Sequence, residues 1–259
     1  MASDSRFAVL IDAENVSVKY IKIIFDELSK DGIATYKRIY GDWTNPSLIS
    51  WKSTLLDNSI TPIQQYSYTS GKNSTDSAMI IDAMDILYSG TCDGFVLVSS
   101  DSDFTRLATR LREAGMKVYG MGEKKTPKPF IVACDKFVYI EVIRAAAKQA
   151  AEAAKRKEEA QAKKSAKKEN KKAQAASSPA PEEIVELIAE SVEDLCEEDG
   201  LAHMGKLGNL LLKKQPDFDP RNYGFSKLSK LIRALDRFQI VPQGEENVEY
   251  YVRDNCADK

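Results

Sequence analysis

Two short runs of apolar, β-forming residues lead directly to aspartate, and this feature constrains the fold more than any other. Residues 7–11 read FAVLI and are followed by Asp12, while residues 96–100 read VLVSS and are followed by Asp101 and Asp103. Neither run alternates polar with apolar residues, which is typical of strands that helices cover on both faces. The sequence therefore predicts buried strands of a parallel sheet, with acids at their carboxyl ends.

The first 141 residues alternate such runs with amphipathic helical patterns. Strands alternating with helices of this length form parallel βαβ units with right-handed crossovers. The expected fold is α/β, a three-layer doubly wound parallel sheet of five or six strands. Helical patterns cover residues 16–29, 46–56, 75–88 and 104–114. Strand patterns cover residues 7–11, 34–40, 60–66, 95–99, 117–121 and 137–140.

Beyond this α/β region the composition changes twice. Residues 145–176 carry 10 Lys and Arg against 4 Asp and Glu, with almost no large apolar residue. Such a segment has no stripe to bury, so we expect a linker that is helical or disordered. Apolar residues return at helical spacing from Pro181, and a closing VEYYV indicates a strand. We expect an α/β domain at 1–143, a charged linker at 144–180 and a small helical domain with short strands at 181–253.

The content of histidine and cysteine excludes several kinds of chemistry. The one histidine, His203, lies in the acidic C-terminal third, so a Ser–His–Asp or Cys–His catalyst in residues 1–144 is excluded. The four cysteines are far apart, with neither zinc-site spacing nor a disulfide framework. Any chemistry of the α/β domain must therefore be carried by carboxylates.

The hydropathy of the chain bears on its location. The first residues show no charged-then-apolar signal peptide, and no apolar run approaches the ~18 residues that span a bilayer. We therefore expect a cytoplasmic protein with reduced thiols and no membrane association.

The acids at the strand ends are the candidate site. Ligands of an open parallel sheet bind beyond the carboxyl ends of its strands. If the first and fourth strands are neighbours, Asp12, Asp101 and Asp103 converge on one crevice. Asp76 would add a fourth carboxylate, because it lies in the middle of the apolar stripe of the helix at 75–88.

Single acids at these positions also have structural interpretations. Asp82 and Asp85 fall outside the apolar stripe, so we expect them to be solvated. Asp76 could favour the positive end of its helix, and Asp101 or Asp103 could cap the helix that follows. Four converging acids would nevertheless repel one another and raise one another's pKa.

A hard cation resolves such repulsion. Mg²⁺ is typically held by a few carboxylates together with water and substrate phosphate. A cation so placed lowers the pKa of bound water and neutralises charge on a phosphate oxygen. Metal-assisted hydrolysis of a phosphodiester is therefore the leading chemistry.

Three segments carry a resemblance to a known family. VLIDAEN (9–15), GKNSTDSAMIIDAM (71–84) and VLVSSDSDFTRLATRLREAGMKVYGMG (96–122) resemble the signatures of the NYN domain. That family, in its LabA-like branch, belongs to the PIN-like nuclease superfamily, and its members are implicated in RNA processing. The resemblance covers roughly residues 5–141 and implies a PIN-like, Rossmann-like sheet.

The resemblance also assigns roles to residues. Asn15 would orient a carboxylate or a water, and Lys72 would pair with a substrate phosphate. The loop before the helix at 75–88 reads KNSTD, where the family pattern has a tighter Lys-Gly-X-Asp run. The acids that correspond to the Mg²⁺- or Mn²⁺-binding residues are Asp12, Asp76, Asp101 and Asp103.

Other residues near this edge have two interpretations each. Ser99 and Ser100 could donate to water or substrate, or could simply be small residues at a tight strand end. Arg106 could meet a phosphate backbone or belong to a solvated helix face. Trp43 and Trp51 could stack on bases, as aromatic side chains do with single strands, or pack in the core.

The C-terminal region resembles a second family. Residues 181–252, above all the run from FDP at 218–220 through NYGFSKLSKLIRAL, resemble an OST-HTH or LOTUS domain. The resemblance implies a small, winged-helix-like α+β fold that binds RNA or docks a protein partner. Residues 177–259 carry 10 Lys and Arg against 17 Asp and Glu, which argues against purely electrostatic RNA binding.

Two functions fit these patterns, and a third fits them less well. The first is a Mg²⁺- or Mn²⁺-dependent ribonuclease that the C-terminal module targets. The second is a catalytically inactive RNA-binding or regulatory adaptor that retains the fold. The third, a phospho-accepting receiver domain, requires an aspartate at the end of the third strand, where this chain has Tyr66-Ser67-Tyr68.

Overall fold

The computed structural model describes residues 4–66, 74–162, 181–196, 200–243 and 248–256, which fall into two compact units. The first unit spans residues 1–145 and the second spans residues 146–259. Residues 67–73, which include Lys72, and residues 163–180 of the predicted linker lie outside the described residues.

The first unit is the predicted doubly wound α/β fold. Its strands are all parallel and stand in the order β3-β2-β1-β4-β5-β6. The strands are β1 (Ser5–Asp12), β2 (Gly32–Gly41), β3 (Thr61–Gln64), β4 (Gly94–Val98), β5 (Lys117–Gly122) and β6 (Lys136–Tyr139). The helices are α1 (Ile21–Leu28), α2 (Trp51–Asn58), α3 (Ser74–Ser89), α4 (Thr105–Glu113), α5 (Lys128–Ala133) and α6 (Ile140–Ala162).

Helices on both sides of the sheet explain the continuous apolar runs. Phe7, Val9 and Ile11 of β1 pack with α1 and α2, whereas Ala8 and Leu10 pack with α3 and α4. All five side chains are fully buried. Because burial of one large apolar side chain contributes about 1.5–3 kcal/mol, β1 and β4 anchor both layers.

The bounds of the third strand differ from the sequence prediction. The third strand ends at Gln64 rather than residue 66, and it is an edge strand whose Thr61 and Pro62 are exposed. The region predicted as linker from residue 144 begins inside α6, which runs without a break from Ile140 to Ala162. Helix α6 starts as part of the first unit, because Ile140 and Ile143 are buried in its core.

The second unit is a small α+β domain around its own core. Helices α7 (Glu182–Glu193), α8 (Met204–Lys214) and α9 (Leu228–Arg233) pack with a three-stranded antiparallel sheet in the order β7-β9-β8. Its strands are β7 (Ala202–His203), β8 (Phe238–Gln243) and β9 (Glu249–Asp254). Its fully buried apolar side chains, among the described residues, are Ile188, Ala202, Leu207, Leu211, Leu231, Ile232 and Val252.

The histidine caps a helix, and the cysteines form no disulfide. His203 caps α8, because its Nδ1 accepts hydrogen bonds from the backbone N–H groups of Gly205 and Lys206 at 3.2 and 3.3 Å. All four cysteines are free thiols. Within the described parts of the chain, no helix combines the length and the apolar character needed to cross a membrane.

Candidate metal centre

The first and fourth strands are neighbours in the sheet, so their carboxyl ends lie side by side as predicted. Strand β1 pairs in parallel with β4, with Phe7 opposite Gly94 and Ile11 opposite Val98. From β1 the chain adds strands β2 and β3 on one side, and from β4 it adds β5 and β6 on the other side. The gap between β1 and β4 is therefore the switch point at which open α/β sheets bind ligands. Asp12 is the last residue of β1, and Asp101 follows β4.

Asp12 is a buried carboxylate surrounded by donors. Its side chain is 1% exposed, and Oδ1 accepts from the backbone N–H groups of Glu14 at 3.0 Å and Asn15 at 3.3 Å. Oδ2 accepts from Asn15 Nδ2 at 2.7 Å and from the Ser99 hydroxyl at 2.8 Å. A buried charge is tolerated only where hydrogen bonds face it, so this set of donors holds Asp12 in one orientation.

Ser99 joins the two strand ends. Its hydroxyl is fully buried, donates to Asp12 and accepts from the backbone N–H of Asp101 at 3.1 Å. The hydroxyl of Ser99 is therefore used within the protein, a role that neither interpretation of the sequence had included. One hydroxyl therefore fixes the relative placement of the acids after β1 and β4.

Asp101 also caps a turn. Its Oδ1 accepts from the backbone N–H of Asp103 at 2.9 Å, at the start of the 3-10 helix Ser102–Phe104 that leads into α4. The capping role considered for Asp101 is therefore present. It uses one carboxylate oxygen and leaves the side chain half-buried beside Asp103, which is exposed.

Three of the predicted acids form a compact cluster. Asp76, in the first turn of α3, Asp101 and Asp103 each offer one carboxylate oxygen, and these atoms all lie within 4.8 Å of one another. Burial, together with the negative charges of Asp12, Asp101, Asp103 and Glu14, raises the pKa of Asp76 to about 6. We call Asp76, Asp101 and Asp103 the acid cluster.

The acid cluster suits a hard divalent cation. All of its donors are carboxylate oxygens, which Mg²⁺ and Mn²⁺ prefer, whereas zinc sites are built mainly from nitrogen and sulfur. After burial, repulsion by the neighbouring acids is the next cause of the raised pKa of Asp76, and a cation would relieve that part. Asp12 is not among the three clustered acids, but its charge acts on Asp76 from the end of β1.

Glu14 is an acid of this region that sequence reasoning missed. It is exposed on the turn after β1, and its Oε1 accepts a hydrogen bond from Thr75 Oγ1 of α3 at 3.0 Å. It belongs to no periodic helix or strand pattern, so only its position two residues after Asp12 could have drawn attention to it. Its contact links the first βα turn to the helix that carries Asp76.

The other residues predicted for the site differ in their contacts and in their exposure to solvent. Asn15 holds Asp12 through its amide, as described above. Ser100 is 7% exposed, and its hydroxyl oxygen accepts from the backbone N–H of Glu123 at 2.8 Å. Arg106 is exposed on α4, and Lys72 lies outside the described residues.

The two tryptophans pack against the protein. Trp51 is 2% exposed within the core cluster that contains α1 and α2. Trp43 is partly buried and donates from Nε1 to the backbone oxygen of Ile63 at 3.0 Å. Packing is therefore the interpretation that the structure bears out for both.

The expectation that Asp82 is solvated is wrong. Asp82 is half-buried and pairs with the guanidinium of Arg38, and it also accepts from the hydroxyl of Tyr40. The apolar stripe placed Asp82 correctly to one side of α3, but β2 covers that side and supplies the two partners. Asp85, one turn further along, is exposed as expected.

Comparison with known families gives the class of the protein. Residues 6–141 match the NYN domain, and residues 177–250 match the OST-HTH/LOTUS domain. The first match spans more than half of the chain, so the chain belongs to the NYN domain family, within the PIN-like nuclease superfamily. Domains of the second kind bind RNA.

Two solved structures are similar to parts of the chain. A protein of unknown function from Vibrio parahaemolyticus is 20% identical with a TM-score of 0.46, and the match covers 54% of this chain and 95% of that one. An uncharacterized protein from Nitrosomonas europaea is 30% identical with a TM-score of 0.29, and the match covers 34% of this chain and 89% of that one. No curated protein matches the chain.

Proposed function

We propose that this protein is a Mg²⁺- or Mn²⁺-dependent ribonuclease that hydrolyses RNA phosphodiester bonds at the acid cluster. The observation that carries the proposal is the convergence of Asp76, Asp101 and Asp103 within 4.8 Å, at the switch point of a nuclease-superfamily fold. Asp12, at the end of β1, adds a negative charge that acts on Asp76 of the cluster. No histidine lies in the first unit, so these acids are the groups available for chemistry there.

Each acid has a part in this proposal. Asp76, Asp101 and Asp103 would hold the cation, which when bound lowers the pKa of water and neutralises charge on a phosphate oxygen. Asp12 adds negative charge behind the cluster, and its four hydrogen bonds keep that charge in place. Asp103 is exposed, so a strand of RNA can reach the cluster from solvent.

Basic residues would hold the substrate backbone. Arg106 is exposed one turn after the 3-10 helix that carries Asp103, and by its position it would contact a phosphate next to the reacting one. Lys72, two residues before α3, is proposed to do the same. Both residues would position RNA without reading its bases.

The C-terminal unit would select the target. Lys227, Lys230 and Arg233 lie three residues apart on and beside α9, and all three are exposed. They present a local basic stripe within the acidic balance of residues 177–259, and this stripe supports binding of RNA by the second unit. Docking of a protein partner and a cytoplasmic location remain predictions from the sequence.

The test is a cleavage assay with matched variants. Labelled single-stranded and structured RNA are incubated with the protein in Mg²⁺, Mn²⁺ or EDTA, beside an Asp12→Asn/Asp101→Asn variant. The exposed pair Asp57→Asn/Asp85→Asn changes the net charge equally and serves as the control. We expect metal-dependent cleavage that the first variant loses and the control keeps.

The opposite outcome has a definite meaning. RNA that is bound but cut under none of these conditions would establish the inactive RNA-binding adaptor as the function. Cleavage that survives both substitutions at the site, or that persists in EDTA, would place the activity elsewhere.

A further inference from the structure

A cavity lies at the same edge of the sheet as the acid cluster. It has a volume of about 480 Å³ and lies between the turn after β1 and the segment that joins β2 to α2. A cavity of this size falls within the range of small-molecule sites. The residues that matter here are Glu14, Ser17, Asn45, Ser47, Ser50 and Trp51.

Glu14 connects the cavity to the acid cluster. It lines the cavity, it accepts a hydrogen bond from Thr75 of α3, and its charge raises the pKa of Asp76. A molecule in the cavity would therefore lie beside a group bound at the acid cluster, with Glu14 between them.

The lining is rich in hydrogen-bonding groups that the protein does not use. The hydroxyls of Ser17, Ser47 and Ser50 make no hydrogen bond to the described part of the protein, and Ser47 and Ser50 are exposed, so their hydroxyls face solvent and are open to a ligand. Asn45 accepts from the backbone N–H of Ser47 through Oδ1 at 3.0 Å, and its amide nitrogen points to no partner among those residues. Both donors and acceptors are thus available to a ligand.

The charge of the lining restricts the ligand. Glu14 and Asp42 contribute carboxylates, and none of the described residues that line the cavity is a lysine or arginine. Such a lining repels phosphate but accepts hydrogen bonds from hydroxyl and amino groups. Carboxylates bind ribose 2′-hydroxyls in dinucleotide-binding sheets of this strand order.

We propose that this cavity is a ribonucleoside subsite, which binds the ribose and base of the nucleotide next to the phosphate held at the acid cluster. This inference rests on the proposed ribonuclease function and adds to it the residues that distinguish RNA from DNA. The carboxylate of Glu14 and the serine hydroxyls bind the sugar hydroxyls, and the amide of Asn45 meets the base.

The test uses the tryptophan that lines the cavity as its reporter. Adenosine, cytidine and uridine, and their 2′-deoxy forms, are titrated into the full chain in EDTA while tryptophan fluorescence is followed. We expect a saturable change in tryptophan fluorescence, to which Trp51 in the lining contributes, with ribonucleosides binding about tenfold more tightly, because the deoxy forms lack the 2′-hydroxyl that the lining would bind.

The chain offers a matched pair of variants for this test. Ser50→Phe places a large side chain in the lining of the cavity at the N-cap of α2, whereas Ser53→Phe makes the same change three residues further on, at another exposed residue that does not line the cavity. Ser50→Phe should abolish the saturable response and Ser53→Phe should keep it. Circular dichroism checks folding, and Ser47→Phe replaces Ser50→Phe if that variant does not fold.

The outcomes separate this inference from the proposed function. No saturable response in the unsubstituted protein, or equal responses in the Ser50 and Ser53 variants, overturns the subsite even if the protein cleaves RNA. A response that depends on Ser50 supports the subsite even if no RNA is cleaved, and in that case the ribonuclease proposal alone fails.

Discussion

At the scale of single residues, the centre depends on how one buried carboxylate is held. Asp12 is 1% exposed and relies on four hydrogen bonds, one of them from Ser99, which also accepts from Asp101. Sequence patterns located both acids at strand ends. They could not show that one serine hydroxyl connects them, because the contact joins residues 87 positions apart.

Replacing Ser99 tests this arrangement. Ser99→Ala leaves the Asp12 carboxylate with one donor fewer and the Asp101 backbone N–H without its acceptor. We expect the free energy of unfolding to fall by about 1–3 kcal/mol, the cost of leaving buried polar groups unsatisfied. Urea denaturation measures it, with exposed Ser102→Ala as the control. Equal stability of the two variants would show that water replaces the hydroxyl.

Asp76 makes stability depend on pH in an identifiable direction. Its pKa of about 6 in the folded protein lies above the ordinary value of 3.8, so between these values the folded state binds more protons than the unfolded state. Stability therefore decreases as pH rises from about 4 through 6 and stays lower above. This is the cost of burying the Asp76 carboxylate in part and placing it beside other acids.

The variant Asp76→Asn removes that cost. In EDTA at pH 7.5 we expect it to be more stable than the unsubstituted protein by about 1 kcal/mol, a value reduced from the full shift because solvent screens this half-exposed group. The gain should disappear near pH 4. Thermal unfolding at both pH values measures the difference. A variant that is less stable at pH 7.5 would mean that Asp76 makes net favourable contacts.

At the scale of elements, helix α3 is held to strand β2 by a polar contact. Asp82 of α3 pairs with Arg38 and Tyr40 of β2, and the same helix carries Asp76 one and a half turns earlier. Burial raises the pKa of the Tyr40 hydroxyl far above its ordinary value, and the hydrogen bond to Asp82 raises it further. The contact therefore helps to set where Asp76 stands.

Substituting Asp82 tests the role of this contact. Asp82→Asn should lower the free energy of unfolding by about 1–2 kcal/mol, because Arg38 loses a half-buried partner. Asp85→Asn, on the exposed side of the same helix, should change it by less than about 0.5 kcal/mol. Urea denaturation compares the two. Similar losses would indicate a general effect of helix charge.

At the scale of the whole molecule, the two units have separate cores and separate proposed tasks. The acid cluster lies entirely within the first unit, together with the buried start of α6. Cation binding should therefore need none of the C-terminal residues.

A truncated protein tests this independence. The chain of residues 1–152 should show the same Mg²⁺- or Mn²⁺-induced rise in melting temperature as the full chain, corresponding to about 2.7 kcal/mol at a cation concentration of 100 times Kd. EDTA should remove the rise, and so should Asp101→Asn in either length of chain. Loss of the rise in the truncated protein alone would show that the second unit contributes to the site.

The sequence by itself determined the parallel α/β fold and the edge at which the acids lie. Continuous apolar runs require helices on both faces, and the polarity of parallel strands places every residue that follows a strand at one edge. Asp12, Asp101 and Asp103 could be located on that argument alone. Asp76 could be added because helical periodicity relates residues that are close along the chain.

Only the tertiary structure decided which of these groups meet. The order of strands sets β1 beside β4, packing of α3 brings the oxygen of Asp76 to those of Asp101 and Asp103, and β2 gives Asp82 its partners. Tertiary packing likewise brings Glu14 into contact with Thr75 of α3 and into the lining of the cavity between β1 and α2. Distances of this kind depend on contacts between elements far apart in the chain, and local pattern carries no information about them.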